Sequence, residues 1–404
     1  MKAPKIRFKG FEGAWEEFKI KNLIIEYIEK TTKNNEFPIL SSTKSWIYFQ
    51  TEYFNNQAAS WDTTWYKRIP FWYFTYRSMS DTGSFTFNIQ NIAKEWIVSP
   101  AYPVFSLKEW NDKIFFRNQV NTSLKIKNQI LLLKEWGTRF ALPFTKFSEL
   151  KVINPKQKEQ EKIWSLFEQL DSHISKNQQK LEKLKNLKQS FLQKLFPKAW
   201  ATVPELRFKG FEGVWEERKL GELAEWFEYW LNAPATTFDW NNKYIRITDI
   251  DETSNLFLQT DITSPNCNLI QADKYKLSYW DILFARTWAS VWKSYMYLNS
   301  DGLVYYAWFL IKASVKEKKN TKFIFLNTLT EKYKKYIKIT SQRSWQPWVN
   351  AIEYSLYKFM TTSVPEQEKI WAFFEKLDTQ ITQQTQKIEK LKNIKQSLLE
   401  KMFI

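Results

Sequence analysis

The sequence predicts an α+β protein: two tandem mixed α/β modules separated by two long helices that pair as an antiparallel coiled coil. Three observations lead there. Two blocks of the chain recur. One of them carries a heptad pattern. The stretches between them alternate short strand-like and helix-like segments. The expected boundaries are 1–155 for the first module, 156–200 for the first helix, 201–362 for the second module and 363–404 for the second helix.

The duplication is direct. "PKIRFKGFEGAWEEFKIKNL" begins at 4, and "PELRFKGFEGVWEERKLGEL" begins at 204. The block "EQEKIWSLFEQLDSHISKNQQKLEKLKNLKQSFLQKLF" at 159–196 returns at 366–403 as "EQEKIWAFFEKLDTQITQQTQKIEKLKNIKQSLLEKMF". The segments between these blocks differ. A repeated scaffold carrying two divergent modules suggests related readings of two different targets.

The second block is helical. Leu170, Ile174, Leu181, Leu184, Phe191 and Leu195 fall at steps of four and three, as do Leu377, Ile381, Ile388, Leu391, Leu398 and Met402. Polar residues interrupt both seams at equivalent places, Asn177 and Lys188 in one, Gln384 and Lys395 in the other. Neither run contains Gly or Pro before Pro197. From Glu161 to Phe196 a helix spans about 54 Å, at ~1.5 Å per residue. Each seam needs a partner. The other copy within the same chain is the first choice, and homodimerisation through the same seam is the alternative.

Within the modules, "IVSPAYPVF" (97–105), "KYIRITDID" (243–251), "YWDILFART" (279–287) and "KFIFLNTL" (322–329) read as strands by their β-branched and aromatic content. Helices are expected at 108–118 and 328–338. The strands should form a compact curved sheet.

Composition narrows the function. The net charge is +17, which favours a polyanionic partner, nucleic acid ahead of an anionic membrane surface. No apolar run approaches the roughly 20 residues of a membrane span, and the N-terminus lacks a signal-peptide pattern. A single cysteine, Cys267, excludes a disulfide framework and a cysteine zinc site, so a reducing cytoplasm is expected. The one histidine, His173, lies in "LDSHISKNQ" and reads as a solvated helix position.

Glycine and tryptophan are both anomalous. There are 8 Gly and 21 Trp, where ordinary usage of about 7% would give roughly 28 Gly. Several Trp stand where a turn calls for Gly: "ARTWASVWKSY" (285–295), "RSWQPWVNA" (343–351), "EQEKIWAFF" (366–374). A gene in which UGA encodes glycine, translated with a table that reads it as tryptophan, gives this pattern. A Trp-rich, AT-biased protein is the alternative. On the first reading Trp65, Trp280, Trp288, Trp292, Trp345 and Trp348 should lie in loops or at element ends, several with unusual dihedrals. Trp15 and Trp215, beside retained Gly13 and Gly213, should be genuine and at least half buried.

No catalytic constellation is present. With Gly for Trp, "WASVWKS" (288–294) approaches a phosphate-binding loop, but has three residues between the glycines where four are needed. A basic loop touching phosphate backbone is the better reading. H-E-x-x-H, G-x-S-x-G, G-x-G-x-x-G and an Asn/Asp-Pro-Pro-aromatic methyltransferase signature are all missing, and no metal-ligand set occurs. Loops instead interleave basic, polar and aromatic residues. They are Lys67, Arg68, Tyr76, Arg77 and Ser78 in the first module. In the second they are Arg286, Thr287, Ser290, Lys293, Ser294 and Tyr295, then Arg343, Ser344, Gln346 and Asn350. These side chains suit phosphate anchoring combined with readout of base edges.

"RFKGFEGVWEERKLGEL", "WDILFARTWASVWKSY", "RSWQPWVNA" and "PEQEKIWAFFEKLD", read with Gly at the Trp of the last three, resemble the specificity subunit of type I restriction-modification systems. "DTTWYKRIPFWYFTYRSMSDTGSFTFN" and "WIVSPAYPVF", read with Gly at 65, 72 and 96, resemble another recognition type of that family. The resemblance runs over nearly the whole chain. It implies that each module is a target-recognition domain for one half of a bipartite DNA sequence. It implies that the helices space the domains and dock methyltransferase subunits. S-adenosylmethionine, ATP and magnesium would belong to the methyltransferase and restriction (motor) subunits, leaving this chain with no cofactor and no catalysis. A non-specific nucleic-acid-binding coiled-coil adaptor is the alternative.

Overall fold

The computed structural model describes residues 3–43, 47–50, 62–92, 94–109, 111–133, 140–287, 290–342 and 347–403. The chain divides into two compact units, Met1–Asn177 with Lys387–Ile404, and Gln178–Gln386. Each unit therefore holds one module and part of both long helices.

The two units are built alike. In the first, Glu16–Lys19 pairs antiparallel with Lys151–Asn154; in the second, Glu216–Lys219 pairs with Lys358–Thr361. This ladder brings the start of each module beside its end. A four-stranded sheet follows, ordered Ile24–Glu26, Val104–Leu107, Phe74–Thr75, Asn88–Ile89 in the first unit. In the second the order is Ala224–Tyr229, Leu310–Val315, Ile282–Ala285, Ser294–Met296. All neighbours in both sheets are antiparallel. Helices Lys113–Thr122 and Leu124–Leu132 cover the first core, each N-capped by a side chain, Asp112 and Ser123. In the second unit Thr330 caps Glu331–Ser341.

One expected strand is a helix. "KFIFLNTL" folds as Thr321–Thr328, with every residue from Phe323 to Thr328 buried. A short apolar run enclosed on all sides has no solvent face to show a period, so composition alone cannot tell strand from helix. The expected strand at 243–251 shortens to Lys243–Ile245 before a 3-10 turn, and "IVSPAYPVF" resolves into parts of two strands, Glu95–Val98 and Val104–Leu107.

The long helices run Gln157–Lys194 and Val364–Met402. All twelve expected seam residues are buried or partly buried. In the first unit, Met402 and Phe403 from the end of the second helix pack with Trp15, Phe115 and Phe167. In the second unit, Leu192, Leu195 and Phe196 from the end of the first helix join Trp215, Phe323 and Phe374. The helices thus pair within the chain and antiparallel, the first of the two alternatives open to the seam. The polar interruptions supply ion pairs. Lys188 meets Asp378 at 2.6 Å in one unit, and Lys395 meets Asp171 at 2.5 Å in the other. No helix among the described residues is long and apolar enough to cross a membrane.

The start of each helix is tied to the repeated N-terminal block. Arg7 grips Glu159 through two bonds, Nε–Oε1 at 2.6 Å and Nη2–Oε2 at 2.7 Å, and donates to the Gly13 carbonyl. Arg207, Glu366 and Gly213 repeat the arrangement at 2.7 and 2.8 Å. Gly13 and Gly213 sit at φ 80° and 81°, where a side chain would be strained.

Backbone geometry bears on the tryptophans. Among the described residues nine non-glycine positions have positive φ, and five are Trp: Trp65, Trp72, Trp200, Trp240 and Trp280, at 65–75°. Bulky residues seldom adopt this conformation, which Gly takes without cost. Trp200 and Trp240 are almost fully exposed as well. Trp292 lies in a turn and Trp348 in an isolated bridge with Thr287, while Trp288 and Trp345 lie outside the described residues. Trp15 and Trp215 are buried core indoles, as expected. Trp96 departs from the Gly reading of its segment. It sits inside a strand and packs edge-on against Phe49 at 4.6 Å.

Two outcomes follow. The codons at 65, 72, 200, 240 and 280 should be TGA, and peptides of the native protein should carry the mass of glycine there; TGG codons at these sites would refute the recoding. Asp378→Asn should lower thermal stability by about 1–2 kcal/mol, because it strands the buried Lys188 amine. Lys188→Met should cost less, since Asp378 keeps partial access to water. Calorimetry of both variants checks the asymmetry.

Candidate nucleic-acid interface

The second unit carries its candidate loop on the end of a fully buried strand. Ile282, Leu283, Phe284 and Ala285 are all inaccessible. From this base the Arg286 amide donates to the Phe309 carbonyl at 2.7 Å, and the Val349 amide donates to the Arg286 carbonyl at 2.9 Å. The Tyr354 hydroxyl donates to the carbonyls of Ala285 (2.7 Å) and Val291 (3.1 Å), closing the loop underneath. The Arg286 guanidinium lies 5.5 Å from the Tyr229 ring centroid, 5.2 Å from Trp230 and 5.4 Å from Trp348. Its Nε and the Thr287 hydroxyl are buried with no hydrogen-bond partner among the described residues. A cavity of about 370 Å³ lies alongside, between Val291, Trp292 and the helix face of Lys334, Ile337 and Lys338.

Other residues expected on this surface are structural. Lys293 is buried, its amine bonded to the Ile250 carbonyl at 3.0 Å and 3.3 Å from Glu252. Ser294 and Tyr295 are inaccessible, held by Thr328 and Asp301 respectively. Alternation sends them to opposite faces of their strand, and both faces are covered. Asn350 is the N-cap of Ala351–Ser355: it accepts from the Glu353 amide while Glu353 accepts from its own. Ser290 is partly exposed. Arg343, Ser344 and Gln346 lie outside the described residues.

In the first unit, Tyr76 is wholly buried, its hydroxyl donating to the Leu142 carbonyl at 2.9 Å, and burial raises its phenol well above the ordinary range. Arg68 is committed to Glu95 and Glu29 and stacks over Phe37. Lys67 is partly buried, which pulls its amine below the usual lysine value. Ser78 donates to the Ala101 carbonyl at 2.8 Å. Arg77 is exposed.

Three residues absent from the sequence-based set join the second surface: Tyr229, Trp230 and Phe309. Phe309 holds φ at 67°, an unusual state for an aromatic residue. The adjacent aromatic pairs Tyr229-Trp230 and Trp308-Phe309 were the only available signal, and nothing in their spacing linked them to Arg286. No group of three or more His, Cys, Asp or Glu among the described residues is placed to hold a metal.

Residues 212–393 match the family model described as the type I restriction modification DNA specificity domain. The matched segment takes in most of the second module and most of the second long helix. The S subunit of the type I restriction-modification system of M. genitalium is 14% identical with a TM-score of 0.57, over 100% of this chain and 99% of that one. A chain from a structure concerned with complex assembly and conformational transition of the type I R-M system is also 14% identical, with a TM-score of 0.60 over 96% and 97% of the two chains. At such identity these likenesses are of fold. The comparison with curated proteins gives no match. Within this chain the candidate loops lie on the divergent modules, while the shared blocks form the ladders, latches and helices.

Tyr354→Phe should leave the Ala285 and Val291 carbonyls short of a donor. Stability should fall by about 1 kcal/mol, with faster amide exchange concentrated at 285–293. Exchange unchanged in that segment would show that the hydroxyl does not hold the loop.

Proposed function

We propose that this chain is the DNA-reading subunit of a type I restriction-modification complex, each unit recognising one half of a bipartite double-stranded DNA target. The observation that carries this reading is one scaffold built twice around divergent loops. The latch, the two-stranded ladder and the order of the four-stranded sheet repeat, whereas the exposed loop residues do not. A charge of +17 suits the phosphate backbone. The paired helices set the separation of the half-sites and dock methyltransferase subunits. Methylation with S-adenosylmethionine falls to those partners, and ATP- and magnesium-dependent work to a restriction subunit. The chain itself contributes specificity without catalysis, in the cytoplasm.

The test is to map methylated adenines made by the assembled complex, then to lengthen the helices. Each unit holds residues from the ends of both helices, so both must grow together. Four residues inserted after Lys183 and four after the equivalent Lys390 add about 6 Å at ~1.5 Å per residue. The spacer should lengthen by roughly two base pairs, at about 3.4 Å each. Four residues are close to a whole turn, so the seam stays in phase; two would rotate it by about 200° and disrupt assembly. An unaltered spacer with intact activity would remove the ruler. Absence of any preferred bipartite site would favour a non-specific adaptor.

A further inference from the structure

The third strand of each four-stranded sheet occupies the same place in the fold. Phe74–Thr75 lies between Val104–Leu107 and Asn88–Ile89, and Ile282–Ala285 lies between Leu310–Val315 and Ser294–Met296. The chain leaves the first strand as Tyr76-Arg77-Ser78 and the second as Ala285-Arg286-Thr287. An arginine followed by a hydroxyl residue thus leaves the same strand of two modules whose sequences otherwise diverge, two residues past the strand in the first and directly after it in the second.

These arginines also differ from their neighbours in what they bind. In the second unit Arg207 is held by Glu366, Arg218 by Glu216 and Glu222, and Arg246 by Asp249. In the first, Arg7 is held by Glu159, and Arg68 by Glu29 and Glu95. Arg77 and Arg286 make no ion pair with a carboxylate among the described residues. Arg286 is nevertheless fixed. Its backbone is bonded on both sides, its Nε is enclosed, and the Tyr229 ring lies against the guanidinium. Tyr229, unlike Trp348, is not among the positions expected to be Gly, so its ring holds the guanidinium on either reading of the tryptophans.

We infer that Arg77 and Arg286 are base-reading residues, each offering its guanidinium fork to one guanine in the half-site its unit recognises. A phosphate anchor needs charge without orientation, which solvated lysines supply. At Arg286 a planar fork held against a ring suits a planar pair of acceptors, and guanine presents O6 and N7 in the major groove. This inference rests on the bipartite DNA reading above and names the chemistry at two of its positions.

The experiment uses the assembled complex with its methyltransferase subunits, and DNA libraries randomised in each half-site. Arg286→Gln should reduce the preference for guanine at one position of the second half-site by about 10- to 100-fold, with the first half-site unchanged. Arg77→Gln should do the converse. Arg286→Lys, which keeps charge without the fork, should lose the same preference while the dependence of affinity on salt stays as in the parent. Tyr229→Leu should weaken the preference at that position without moving it. A uniform loss of affinity across sequences, with the salt slope lowered by about one phosphate contact (~0.9), would make these residues anchors and overturn the inference. Unchanged preference in the glutamine variants would overturn it as well. A parent complex with no sequence preference would instead overturn the proposed function itself.

Discussion

The buried carboxylate at the start of each long helix is the constraint on which the rest of the molecule depends. Glu159 and Glu366 are each about 1% exposed, and a carboxylate is costly to bury without a partner. Arg7 and Arg207 meet that need with two-pronged bonds, and in doing so carry the repeated N-terminal block onto the helix. The same arginines hold the carbonyls of Gly13 and Gly213, so turn, ladder and helix start become one unit. A module inserted between ladder strands that are already closed can vary in its loops while its two ends stay fixed.

The seam of the paired helices answers a different need. Its apolar positions would tolerate sliding by a heptad, but the charged interruptions do not. A buried lysine such as Lys188 requires its aspartate at one register. The same Lys–Asp arrangement occurs in the other unit with a more exposed lysine, so the two pairs differ in energetic weight while sharing a geometry. The ends of the helices then bury aromatic and aliphatic residues in module cores, Phe196 in one and Phe403 in the other.

The candidate reading surface was only partly legible in the residues. Sequence grouped Arg286, Lys293, Ser294 and Tyr295 because they are polar neighbours in one segment. The structure separates them, because Ser294–Met296 is a strand covered on both faces and its side chains are used internally. Asn350 looked like a loop donor and is a helix cap. Tyr229 and Phe309 escape a sequence reading because they reach Arg286 from a strand end and a turn far away in the chain, and no spacing rule connects 229, 286 and 309.

What the sequence determined by itself is the repeat, the helical seam, the charge and the conflict between Trp and turn positions. Each is a property of local order or composition, and each appears in the structure as an element, a register or a positive φ. Only tertiary structure decided that Thr321–Thr328 is a helix, that Lys293 and Tyr76 face inward, and that Trp96 packs in a core. It also decided that each unit is completed by the end of the other copy's helix. Those outcomes depend on which surfaces are enclosed, and enclosure is a property of the assembled layers rather than of any one segment.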